Sequence, residues 1–134
     1  MDAAVAQSYV APATEELEEP RIFPFNYDRI DVRYDLFLNL ADTAVAQKYS
    51  PVFDRYKLPF NGETWEGVLQ QMLERIDRGM ARHIRMMPED EGVYLATGNK
   101  STQQKFLREI LPVLSNTMLL EKHLQRLDRN RLAE

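Results

Sequence analysis

Residues 65–87 read WEGVLQQMLERIDRGMARHIRMM. The apolar side chains Trp65, Val68, Leu69, Met72, Leu73, Ile76, Met80, Ile84 and Met87 recur at steps of three and four, the spacing that lines one face of an α-helix. Taken as a single helix, the stretch makes about six turns and would form the centre of an all-α bundle. Gly67 and Gly79 would each weaken that helix by about 1 kcal/mol relative to Ala, unless a neighbour needs the space. Pro88 closes it, and Glu89-Asp90-Glu91-Gly92 follows as an acidic turn.

Helical spacing extends on both sides. Upstream, Tyr34, Phe37, Leu38, Ala41, Ala44 and Val45 predict an amphipathic helix from about Asp31 to Lys48; the alternation of Ile30, Val32 and Tyr34 allows a short strand at its start. Ser50-Pro51 has the form of a further helix start, and Pro59 with Asn61-Gly62 marks a loop whose following helix Thr64 would cap. Downstream, Val93 to Thr97 is either a short strand or a docked loop. Ser101 with Gln104 forms a capping box ahead of Phe106, Leu107, Ile110 and Leu111. Pro112 should kink or break that helix, with a second start near Asn116 or Thr117. The expected fold is therefore all-α, a compact bundle of four or five helices, with at most one short β element near residues 93–97.

The chain has 134 residues and a 44% apolar fraction, which fits one core of ordinary size. Its first residues are Ala, Ser, Thr, Pro and Glu, without a helical stripe. Residues 1–21 are expected to be a flexible acidic arm, and residues 22–134 a single helical domain. Phe23, Phe25 and Tyr27 alternate just after the arm, as rings docked on the domain or on a partner. Cysteine is absent, which excludes disulfides, thiolate metal sites and a cysteine nucleophile and suits the cytoplasm. Neither a signal-peptide pattern nor a membrane-length apolar run is present, so membrane insertion is not expected.

Chemical motifs are sparse. Thr97-Gly98-Asn99-Lys100-Ser101-Thr102 leads into a helix but lacks the glycine spacing of a phosphate-binding P-loop. His83 and His123 lie on separate predicted helices, and no acidic residue completes a zinc pattern beside them. No serine elbow accompanies either histidine, and acidic pairs such as Glu63 and Glu66 are too common on surfaces to mark a catalytic dyad. No cofactor is expected. The net charge of −4 argues against a broad nucleic-acid face. Lys122, Arg126, Arg129 and Arg131 near the C-terminus have a structural use, opposite the negative end of a helix dipole.

What remains is a pattern of acidic segments and aromatic residues. The expected function is non-enzymatic binding of another protein with a basic surface, as an inhibitor, immunity factor, chaperone or adaptor. The candidate contact residues are Glu15, Glu16, Glu18, Glu19, Phe23, Phe25, Glu89, Asp90 and Glu91. A self-associating assembly subunit is the alternative, followed by a small enzyme using carboxylates with a histidine. Among the methionines, Met72, Met80 and Met87 fall on the inward stripe, whereas Met86 lies off it and would be the one at a binding patch.

Overall fold

A computed structural model describes residues 16–28 and 34–132, apart from the side chains of residues 19 and 20. Its architecture corrects the all-α expectation. Five helices pack with a four-stranded antiparallel sheet, giving a mixed helix-and-sheet fold. After a 3-10 turn at Glu19–Ile22 come strands β1 (Phe25–Asp28) and β2 (Asp35–Asn39), then helices α1 (Thr43–Arg55), α2 (Gly62–Ile76) and the short α3 (Arg78–Ala81). Strands β3 (Arg85–Glu89) and β4 (Gly92–Ala96) follow, then α4 (Lys100–Leu114), α5 (Thr117–Gln125) and a 3-10 turn at Arg129–Arg131. The strand order is β1-β2-β4-β3, so two hairpins distant in sequence join through β2 and β4.

The expected helix at residues 65–87 divides into three elements. Asp77 takes an extended backbone, with φ −157° and ψ 90°, and its side chain accepts from the Met80 amide at 3.0 Å. That bond starts a new helical turn and ends the old one. Met80 and Ile84 still reach the core, which is why the helical spacing persists past the break. From Ile84 onward, alternate side chains face the core, so Met86 is half-buried and Met87 is exposed, the reverse of the helical assignment. Pro88 sits within β3, an edge strand that tolerates a residue lacking an N–H.

The expected helix from Asp31 to Lys48 is also corrected. Residues 31–33 lie outside the described region; Asp35–Asn39 is strand, and α1 begins only at Thr43. Leu36 and Leu38 alternate into the core on a period of two, while the Asp42 side chain accepts from the Ala44 and Val45 amides at 2.8 and 3.3 Å. Ser50-Pro51 begins no new helix, because α1 runs through Pro51 on its exposed side. Asn61 and Asn99, rather than Thr64 and Ser101, cap α2 and α4, and Asn116 caps α5. Helix α4 continues past Pro112 to Leu114, and the break falls at Ser115-Asn116.

The buried side chains of α1, α2, α4 and α5 form one core with Leu36, Leu38, Val93 and Leu95. Trp65 is fully buried, its ring 4.7 Å from that of Phe53 and edge-on to Tyr49 at 5.4 Å. The Tyr49 hydroxyl donates to the Leu114 carbonyl at 2.8 Å, and burial raises its pKa far above the usual phenol range. Within residues 1–21, expected to be arm, Leu17 packs against the core of the domain. The Leu17 amide donates to Gln104 Oε1 at 2.7 Å, the Tyr27 hydroxyl donates to the Leu17 carbonyl at 2.7 Å, and Ile22 joins the core. At the other end Gln71 clasps the chain by donating to the Asp128 carbonyl at 3.0 Å and accepting from its amide at 2.8 Å.

Candidate functional site

With one sheet face committed to the helices, strand parity decides what the other face carries. Leu36 and Leu38 on β2, and Val93 and Leu95 on β4, point inward. Phe37 and Tyr94 therefore point outward from the two central strands. The register sets Asn26, Phe37, Tyr94 and Met87 in one row across all four strands. The Phe37 and Tyr94 rings lie 4.5 Å apart, tilted by 36°, and Met87 extends the apolar strip with 37% of its surface exposed. Neighbouring strands are about 4.8 Å apart, so the strip from Phe37 to Met87 spans roughly 10 Å.

Gly92 makes room for this arrangement. A Cβ there would stand 2.6 Å from Phe37 Cζ and 2.7 Å from the Leu38 carbonyl oxygen, so only glycine lets the Phe37 ring lie across β4. On the helix side of the same hairpin, a Cβ on Gly62 would lie 2.0 Å from the Glu89 carbonyl oxygen and 2.2 Å from that of Gly92. The Gly62 amide also donates to the Asp90 carbonyl at 3.4 Å. The acidic turn Glu89-Asp90-Glu91 is thus held against the start of α2, with all three residues exposed at one end of the aromatic row.

The other expected contact residues are dispersed. Glu15 lies outside the described residues. Glu16 is half-buried, Glu18 is exposed with its carboxylate 3.8 Å from the Arg21 guanidinium, and Glu19 belongs to the first 3-10 turn. Phe23 is partly exposed, its ring 6.3 Å from that of Tyr49 with Lys48 Nζ 5.7 Å above it. Phe25 is core, edge-on to Phe106 at 5.4 Å. Of the candidates whose side chains are described, Glu89, Asp90 and Glu91 adjoin the aromatic row.

Neither histidine sits in a chemical constellation. Arg75 Nε donates to His123 Nδ1 at 3.1 Å, and its guanidinium also donates to the His123 carbonyl at 3.3 Å. Burial, then the charges of Arg75 and Arg126, hold the His123 imidazole below its usual pKa and therefore neutral. His83 is exposed beside a depression of about 290 Å³ that also involves Ser101, Thr102 and Lys105. Its two charged groups are paired with each other, Lys105 Nζ lying 2.9 Å from Asp77 Oδ2 while Asp77 also caps α3. Among the described residues no group of three His, Asp or Glu could hold a metal ion. Of the C-terminal cations, Arg131 pairs with both oxygens of Glu74 at 2.8 and 2.7 Å, and Arg129 donates to the carbonyls of Tyr56 and Lys57.

No family model, curated protein or solved structure matches this chain. Among the described residues no helix is long and apolar enough to cross a membrane.

Proposed function

We propose that this chain is a non-enzymatic protein-binding domain that engages another protein through the outer face of its sheet, acting as an inhibitor, immunity factor, chaperone or adaptor. The observation that carries this reading is the row Phe37–Tyr94–Met87, an apolar strip on the sheet face away from the helices. A flat strip encloses no small molecule, whereas aromatic and methionine side chains on rigid strands supply contact area at little entropic cost. The nearby carboxylates add orientation and steering. The cysteine-free composition suits action in the cytoplasm.

The test uses the full chain as bait in a lysate of its source cells, beside a Tyr94→Ser, Met87→Ser double variant whose folding is checked by Trp65 fluorescence. A stoichiometric protein retained by the parent chain and lost from the variant is the expected result. Retention of the same partner by both overturns the role of this face. Recovery only with further copies of the chain, at a mass that grows with concentration, replaces the reading with self-assembly.

A further inference from the structure

We infer that the segment docking on this face combines a large apolar side chain with Lys or Arg about 7 Å further along it. This deepens the proposed docking role of the outer face and rests on it. The apolar half of the inference comes from Phe37, Tyr94 and Met87, which form a strip across three strands. The basic half comes from the turn. Glu89, Asp90 and Glu91 are exposed, and the turn backbone that carries them abuts Gly62. Met87 and Glu89 are two residues apart on β3 and share its outward parity; at about 3.3 Å per strand residue the acidic corner begins about 7 Å from the aromatic row. An occupant anchored on the row and running along β3 reaches that corner after about two residues if extended, or about five if helical.

The turn carboxylates exceed what the fold uses. Asn61 already caps α2 through the Thr64 amide at 2.9 Å, and Glu63 already supplies negative charge in its first turn. Other occupants fit less well. Nucleic acid and anionic lipid headgroups would bring phosphate against three carboxylates. A second copy stacked about a two-fold axis along the strands sets acidic turn over acidic turn. About an axis across the strands, the turn meets the opposite end of the face, where Asp35 is buried and Arg85 is exposed, one cation against three carboxylates. A basic, apolar segment of a different protein is the occupant that satisfies both features.

Selection from a displayed library of random peptides about twelve residues long, on the full chain, tests this directly. Enriched clones are re-bound to the Tyr94→Ser, Met87→Ser variant and to a Glu89→Gln, Glu91→Gln variant. The expected clones pair a large apolar residue with Lys or Arg and lose binding to the first variant. They bind the second about three- to tenfold more weakly, and weaken when salt rises from about 0.1 to 0.5 M. Clones that depend on Tyr94 and Met87 but are uncharged or acidic, or ignore the Gln substitutions, overturn the basic partner and leave the docking face standing. Clones indifferent to Tyr94 and Met87 overturn both.

Discussion

Replacing Gly62 with Ala tests whether the hairpin and α2 are seated as described. The new Cβ would lie 2.0 and 2.2 Å from two backbone carbonyl oxygens, those of Glu89 and Gly92, and 2.9 Å from the Glu89 nitrogen. Carbon and its neighbours ordinarily approach to about 3.5 Å, so the helix start must retreat from the turn by more than an ångström. Neither obstacle is a side chain that can swing away. Overpacking of this kind costs about 1–3 kcal/mol, and losing the Gly62 amide bond to Asp90 adds about 1 kcal/mol. Against this stands the helix preference for Ala, at most about 1 kcal/mol and less in the first turn. The net expectation is a loss of about 1–3 kcal/mol. Gly79→Ala is the control: its Cβ meets only Asp77 Oδ1, at 3.5 Å, so the same change should gain up to about 1 kcal/mol. Urea unfolding followed by Trp65 fluorescence, with helix content read by circular dichroism, gives both numbers. A Gly62→Ala protein as stable as the parent refutes the packing of the turn on α2.

Two further predictions concern the chain's ends. Tyr27→Phe removes the hydroxyl that donates to the Leu17 carbonyl and stands 3.2 Å from Gln104 Nε2, so it should cost about 1 kcal/mol. Amide exchange at Leu17 should quicken while that in α2 follows only the global change. The second is a pH effect. Folding holds His123 neutral below its usual pKa, whereas the unfolded chain takes up the proton near about pH 6.5. The unfolded state then binds more protons, so this contribution is complete above that pH and is lost as pH falls below it. The urea midpoint should drop between about pH 7 and 5.5 in the parent and less in His123→Gln, whose amide oxygen can still accept from Arg75. Equal slopes would show that His123 is not buried as a neutral acceptor. The carboxylates of Glu74, Asp77 and Glu121, lowered chiefly by hydrogen bonds from Arg131, Lys105 and Arg55, change stability in the same direction but in a more acidic window.

The sequence revealed local elements better than their pairing. The stripes of Trp65 to Ile76 and of Phe106 to Leu111 occur on helices that lie where their spacing placed them, apart from the exact caps, whereas Val45 and the pair Val52 and Phe53, expected on two helices divided at Ser50-Pro51, share one. Two stretches satisfied a helical and a strand period together. In Asp35–Asn39 the residues Phe37 and Leu38 continue a helical stripe, yet Leu36 and Leu38 also alternate, and pairing with β1 and with β4, the latter more than fifty residues away, selects the strand. Beyond Ile76 the same ambiguity arose because Met80 and Ile84 keep facing the core after Asp77 turns the backbone. The clue was Asp77 two residues before Gly79, a capping pattern inside an apparently continuous helix. The aromatic row was hidden for the same reason. Phe37 looked like core while it belonged to a helix, and Tyr94 had no face until β4 had a partner. The parity of Asp35-Leu36-Phe37-Leu38-Asn39 and Gly92-Val93-Tyr94-Leu95-Ala96 was the available signal, but its meaning depends on a pairing that local periodicity does not contain. The acidic turn was legible directly, because charge and turn chemistry need no partner strand.

The two glycines of this corner connect fold to binding. Gly92 permits Phe37 to cross β4, and Gly62 permits α2 to abut the backbone that carries Glu89 to Glu91. Backbone contacts on one side and a ring on the other leave the hairpin end little freedom to move independently of the core. A docking face built this way has its aromatic strip and its carboxylates at a fixed separation before any partner arrives, so binding need not repay the cost of ordering them. Loosening the corner without altering a single exposed side chain should therefore weaken a partner that contacts both parts, while sparing one that contacts only the aromatic row. Gly62→Ala, at a temperature where the domain remains folded, separates those cases: loss of affinity with the exposed residues intact means the spacing matters, and unchanged affinity means that the aromatic row binds alone.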